Sequence, residues 1–158
     1  MIFLLDDNYV SDHIQLFCRK CYEDIGGLFP IKEGGEDTIA AITAQMKGWV
    51  VEAFEELKVY HHKLSKATRG KLKEAFRAGQ MFYALGSQPL FEILKNIKSI
   101  TSEPYLLFAM TRMCSYLVPY FKRQKRPVTE EFILFMRKKQ LSKLKANFIQ
   151  NGEGKGHE

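Results

Sequence analysis

Apolar residues in this chain recur every three or four positions and rarely alternate with polar ones. The clearest run is Ile39, Ile42, Met46, Trp49, Val50, Ala53, Phe54 and Leu57. A side chain every 3.6 positions returns to the same side of an α-helix, so such a run makes a stripe that must be buried against another element. Sheets need a period of two, and that pattern is scarce here. The chain is therefore restricted to helices packed on helices.

Capping residues, glycines and the few prolines divide the pattern into segments. A first helix is predicted over Asn8–Asp24 with Asp6 or Asp7 as cap, followed by a loop with four glycines and Pro30 between Ile25 and Gly35. A second begins at Glu36 or Asp37 and follows the apolar run to Leu57. A third runs from about Ser65 to Gly86, a residue suited to the left-handed position after a helix. Ser87-Gln88-Pro89 opens a fourth, to about Lys98. Thr101 or Ser102 caps a fifth, which carries Leu107, Met110, Cys114, Leu117 and Phe121, and Pro119 should kink it or end it early. Thr129, with Glu130 and Glu131, caps a sixth that holds Phe132, Phe135, Met136, Leu141, Leu144 and Phe148. The polar, glycine-rich stretch from Asn151 to Glu158 is expected to be a disordered tail. The expectation is an all-α fold, a compact bundle of five to six helices forming one domain over residues 1–150. At 158 residues and 46% hydrophobic, such a domain can hold its own core.

Several function classes fall away. No apolar run approaches the ~18–20 residues of a membrane span. Met1-Ile2-Phe3-Leu4-Leu5 is cut off by Asp6 and Asp7 and lacks the basic start of a secretory signal, so a cytoplasmic protein is expected. Three cysteines suit a reducing compartment. Cys18 and Cys21 form a C-x-x-C with His61 and His62 downstream. Adjacent histidines on a helix point ~100° apart, however, and the pair of cysteines sits in a helical pattern. Two buried thiols with surface histidines are the preferred reading, with no metal or other cofactor. No P-loop, dinucleotide fingerprint, nucleophile elbow or H-E-x-x-H occurs. Glu52, Glu55 and Glu56 read as a solvated helix face, and His13 has no visible partner. A non-enzyme is expected.

Charge is unevenly placed. Residues 1–60 carry 11 acidic and 5 basic side chains, whereas residues 61–158 carry 7 acidic and 19 basic ones. A segregated basic half suits a polyanion: nucleic acid first, an acidic protein face second, against a merely lysine-rich solvated surface. On the third helix, Lys66, Arg69, Lys73 and Arg77 fall within about 80° of one another, a stripe about 16 Å long that could follow about three phosphates. The apolar set Leu72, Phe76, Gly79 and Tyr83 is centred about 90° away, so the stripe is expected to form the shoulder of a groove. Further basic clusters are Lys122, Arg123, Lys125 and Arg126, then Arg137, Lys138, Lys139, Lys143 and Lys145. Cations near helix C-termini also offset the macrodipole, which accounts for part of the Lys122–Arg126 group. No base-reading motif is present, so contact through the phosphate backbone, indifferent to sequence, is the leading reading.

Four stretches carry a resemblance: Leu4-Leu5-Asp6-Asp7-Asn8-Tyr9-Val10, Ile42-Thr43-Ala44-Gln45-Met46-Lys47, Met81-Phe82-Tyr83-Ala84-Leu85-Gly86, and Leu117-Val118-Pro119-Tyr120-Phe121-Lys122. In this order they resemble the small subunit of type III-A CRISPR effector complexes, the Csm small subunit family, over roughly residues 4–123. Lys47 stands where that family usually has arginine, Ser87 where an arginine is typical, Ser115 where a glutamate is common, and Pro119 in place of a small residue. The helix and tail beyond residue 123 look like an addition. The resemblance implies a non-catalytic bundle, stacked in several copies along a ribonucleoprotein among other CRISPR effector subunits. There it would bind guide RNA and target RNA through their backbones and support antiviral defence. The residues assigned to nucleic-acid binding are Lys47 and Lys122, which fall in the matching motifs, with Lys66, Arg69, Lys73 and Arg77. The related Cmr small subunit is less similar, since its tryptophan-basic ending is not evident. A helical adaptor that binds only protein is the alternative from another class.

Overall fold

The computed structural model describes residues 15–52, 54, 70–100 and 106–153. Every regular element among them is a helix: α1 (Arg19–Ile25), α2 (Glu36–Met46), α3 (Lys71–Ala84), α4 (Pro89–Ile100), α5 (Leu106–Phe121) and α6 (Glu130–Glu153). The fold is all-α, as the apolar spacing requires, and none of these helices is long and apolar enough to cross a membrane.

The helix ends follow local chemistry more closely than periodicity. Residues 15–18 are not helical, so α1 starts at Arg19 with Cys18 as its cap, in place of Asp6 or Asp7; residues 1–14 lie outside the described residues. Cys18 is extended and its Sγ accepts from the Cys21 amide at 3.3 Å, the role that serine or aspartate more often plays. Cys18 is thus exposed and only Cys21 is buried, which corrects the expectation of two buried thiols. Burial, with Cys18 and Asp24 nearby, raises the pKa of the Cys21 thiol above its ordinary value.

Four helices close with the same pair of backbone hydrogen bonds. After α1, the Gly26 and Gly27 amides reach Glu23 O and Tyr22 O; after α2, Gly48 and Trp49 reach Gln45 O and Ala44 O. After α3, Gly86 and Ser87 reach Tyr83 O and Phe82 O; after α5, Arg123 and Gln124 reach Tyr120 O and Pro119 O. This Schellman pattern needs positive φ at the first residue past the cap. Gly26, Gly48 and Gly86 supply it freely at φ 79°, 83° and 79°, whereas Arg123 adopts φ 48° with a full side chain.

Gly48 explains why α2 ends at Met46 and not at Leu57. The cap satisfies the last carbonyls and turns the chain, so Trp49 leaves the stripe and its indole N–H donates to Asp24 Oδ2 at 3.1 Å. Val50 and Phe54 are exposed. At the other end of α3, Gly70 is extended (φ −45°, ψ 129°), so the helix begins at Lys71 and not at Ser65. Pro89 opens α4, which runs slightly past the expected Lys98, to Ile100. Pro119 sits in the last turn of α5, and the helix ends two residues later. Thr129 Oγ1 accepts from the Phe132 amide at 3.3 Å and so caps α6. That helix continues through Glu153, so residues 151–153 of the expected tail are helical, while residues 154–158 lie outside the described residues.

Two apolar clusters hold the bundle. One joins Ile31 with Ile39 and Ile42 of α2, Ala84 of α3, Leu85, and Phe132 and Met136 of α6. The other joins Phe82 and Tyr83 of α3 to Tyr116 of α5. The α3–α5 pair is the most extensive in the fold. It closes on Gly79, where an added Cβ would lie 1.9 Å from Ser115 Oγ and 2.2 Å from Arg112 O. Neighbouring residues advance together along the two helices, from Gly79 against Arg112 and Ser115 to Tyr83 against Tyr116 and Gln124, so α3 and α5 run in the same sense.

A buried polar node ties α3, α4, α5 and α6 together. Ser87 Oγ donates to Glu92 Oε1 at 2.6 Å, Gln140 Nε2 donates to Ser87 Oγ at 2.7 Å, and the Gln88 amide donates to Gln140 Oε1 at 2.9 Å. Arg112 pairs with Glu92 Oε2 at 2.8 Å, and the Tyr116 hydroxyl donates to Ser87 O at 2.7 Å. Lys95 and Arg112 both lie against the Phe82 ring. Burial, helped by the positive charges of Arg112 and Lys143 and opposed by Glu92, lowers the Lys95 pKa to about 8. Burial, with Glu92 nearby, pushes that of Tyr116 upward.

Candidate nucleic-acid interface

The six cationic residues named from sequence do not form one stripe. Lys66 and Arg69 lie outside the described residues, and extended Gly70 separates their segment from α3. Lys73 and Arg77 are exposed on α3. At ~100° per residue they oppose Ala75 and Gly79, the face that meets α5, so the expected groove shoulder is replaced by an outer face. The reason is the glycine. Because Gly79 lets the two backbones approach, the small side of α3 is buried, and Leu72 and Phe76 are left half-exposed. Lys47 belongs to the α1–α2 corner, where its ammonium donates to the Asp24 carbonyl near the C-terminus of α1. Lys122 is exposed at the end of α5.

Other cations are used inside the bundle. Arg126 Nε donates to Tyr83 O at 3.1 Å and Arg137 Nε to Gly86 O at 3.1 Å. Both therefore serve the carbonyl end of α3, where the macrodipole favours positive charge. Lys139 Nζ donates to Gln45 Oε1 at 2.5 Å and links α6 to α2. What remains outward is Lys73 and Arg77 on α3 with Lys122, Arg123 and Lys125 after α5, and Lys138 and Lys145 on α6, all exposed. Neither the Arg19–Glu23 nor the Glu92–Arg112 ion pair involves them.

Beside that second group lies a pocket of about 430 Å³ lined by Tyr83, Tyr120, Phe121, Arg123, Gln124 and Arg126. The Tyr83 hydroxyl donates to Gln124 O at 2.5 Å and fixes the turn against α3. Arg126 covers the Tyr83 ring at 4.6 Å. Tyr120 stacks on Tyr116 at 6.1 Å and meets Phe121 edge-on at 5.9 Å. Phe121 is 76% exposed. Of this set, sequence reasoning considers only the cations for binding, as a basic cluster and a helix-end effect, and reads Tyr83 and Phe121 as apolar residues of their helices. The signal it misses is an adjacent aromatic pair followed at once by basic residues, with no glycine where the helix must turn.

Position 87, where the resemblance places an arginine, is a fully buried serine inside the polar node. Ser115, where it places a glutamate, lies at the α3–α5 contact. Among the described residues no group of three or more His, Cys, Asp or Glu could hold a metal ion. His13, Glu55, Glu56, His61 and His62 lie outside them, and Glu52 is exposed. No family model, characterised protein or solved structure matches the chain.

Proposed function

We propose that this chain is a non-catalytic, RNA-binding helical subunit of a ribonucleoprotein, of the kind that serves as the small subunit in type III-A CRISPR effector complexes. It binds guide and target RNA through their backbones, in the cytoplasm, with neighbouring effector subunits or further copies of itself completing the assembly. The observation that carries the reading is the outward set Lys73, Arg77, Lys122, Arg123 and Lys125, exposed and outside the ion pairs among the described residues, on the half of the chain that holds most of the positive charge. Such cations fix a nucleic acid by its phosphates without reading its bases. The order of the four matching stretches adds the CRISPR assignment.

A helical adaptor that binds only protein is the second reading. It is favoured by Leu90, Ile93 and Ile97, which are exposed on one side of α4 at helical spacing. A stacked subunit also needs such a face, so the stripe alone does not choose between the two. A tagged pull-down from the native host does. Small RNA of uniform length together with several CRISPR subunits supports the first reading; one protein partner and no RNA overturns it in favour of the adaptor.

A further inference from the structure

We infer that the pocket at the end of α5 takes one unstacked nucleobase of a single-stranded RNA, with the adjoining phosphate held by Arg123. The inference rests on the RNA-binding reading and names the form of RNA that this part of the surface selects. Its volume, about 430 Å³, falls within the ~300–1,000 Å³ typical of small-ligand sites. Its lining is three aromatic rings, two guanidinium groups and a glutamine. An acidic peptide would use the cations and leave the rings idle. A duplex would meet the cations but keep its bases stacked out of reach. A splayed nucleotide uses both, because any base can stack on an aromatic face while its phosphate meets an arginine.

Two features aim the site outward. Phe121 offers an exposed ring beside the pocket, because it meets Tyr120 only in a T-shaped contact and is otherwise turned to solvent. Arg123 occupies the left-handed cap position that Gly26, Gly48 and Gly86 fill after α1, α2 and α3. A non-glycine residue is held there against its backbone preference, and what it gains over glycine is a guanidinium in the pocket wall. Arg126 does not compete for this role. Its Nε is fixed on Tyr83 O, which leaves its terminal nitrogens as donors along the same wall.

The test measures binding of the full chain to an oligouridine, to the same strand made without bases, and to a blunt RNA duplex. Wild-type protein should bind the oligouridine roughly tenfold more tightly than the base-free strand, the scale of one base stacked on an aromatic ring. Phe121→Ala should remove that preference and leave duplex binding unchanged. Arg123→Gly, which suits φ 48° and so keeps the fold, should weaken both single strands. A Phe121→Ala protein that binds all three like wild type overturns the pocket, and the backbone reading stands if Lys73→Glu with Arg77→Glu still weakens every RNA. Wild-type protein that binds none of the three overturns both.

Discussion

A single carbon atom at Gly79 would have to pass through its neighbours. Its Cβ would lie 2.2 Å from the Arg112 carbonyl, and a backbone oxygen cannot rotate aside as the Ser115 hydroxyl can. The two helices would have to separate, and overpacking of this sort costs about 1–3 kcal/mol. Alanine returns at most about 1 kcal/mol through its helix propensity. Gly79→Ala should therefore lower the urea midpoint. Gly70→Ala is the matched control: nothing lies within 4 Å of its Cβ, and its φ is negative. At this N-cap position glycine is preferred to alanine, which offsets the unfolded-state gain, so that variant should stay within about 1 kcal/mol of wild type. Equal midpoints for the two variants would contradict the close α3–α5 crossing. The same glycine is why sequence reasoning misjudges the face of α3. Hydrophobic periodicity weights Leu72 and Phe76 by size, whereas the buried side is chosen by Ala75 and Gly79, which are small.

At the level of helices, the polar node makes stability depend on pH through Lys95. Its ammonium titrates at about 8 in the folded protein against 10.5 ordinarily, because burial disfavours the charge. Between those values the unfolded chain holds a proton that the folded chain has lost, so stability rises with pH across that window. Below pH 8 the penalty is present in full. Tyr116 acts in the opposite sense: its folded-state pKa is raised, so it keeps its proton where the unfolded chain loses one, and stability falls above pH 10. From pH 8 to 10 the urea midpoint should climb, by a free energy on the order of 2 kcal/mol. The Lys95→Met protein should lack this climb, and equal slopes in the two proteins would place the ammonium in water. Little of this node is legible in sequence. Ser87 reads as a helix cap because Pro89 follows it, yet its hydroxyl faces inward to Glu92. The helices that can be read have strong local signals, such as Gly86 at the end of α3, Pro89 at the start of α4 and Thr129 at the start of α6. Where a glycine cap interrupts an unbroken apolar run, as Gly48 does, periodicity alone carries the helix too far.

Across the whole molecule, the positive charge of residues 61–158 divides into an inner and an outer share. Arg112, Arg126, Arg137 and Lys139 bind the bundle to itself, whereas Lys73, Arg77, Lys122, Arg123, Lys125, Lys138 and Lys145 face outward. Net charge therefore overstates the charge available to a partner, and only the outer share should appear in the salt dependence of RNA binding. Lys73→Glu with Arg77→Glu isolates part of that share, since both residues are exposed on the face of α3 turned away from α5. Affinity for single-stranded RNA should fall by the same factor for every sequence tried, because phosphates carry no sequence information. The slope of log affinity against log salt should become shallower by about 0.7 for each phosphate that the variant no longer neutralises. The denaturation midpoint should stay at the wild-type value. Lys139→Gln gives the contrast: it removes one unit of charge from the inner share, so it should lower stability while leaving the salt slope in place. If the slope is instead the same in the α3 double variant and wild type, RNA is not held by this face, and Lys73 and Arg77 are left to an acidic protein partner.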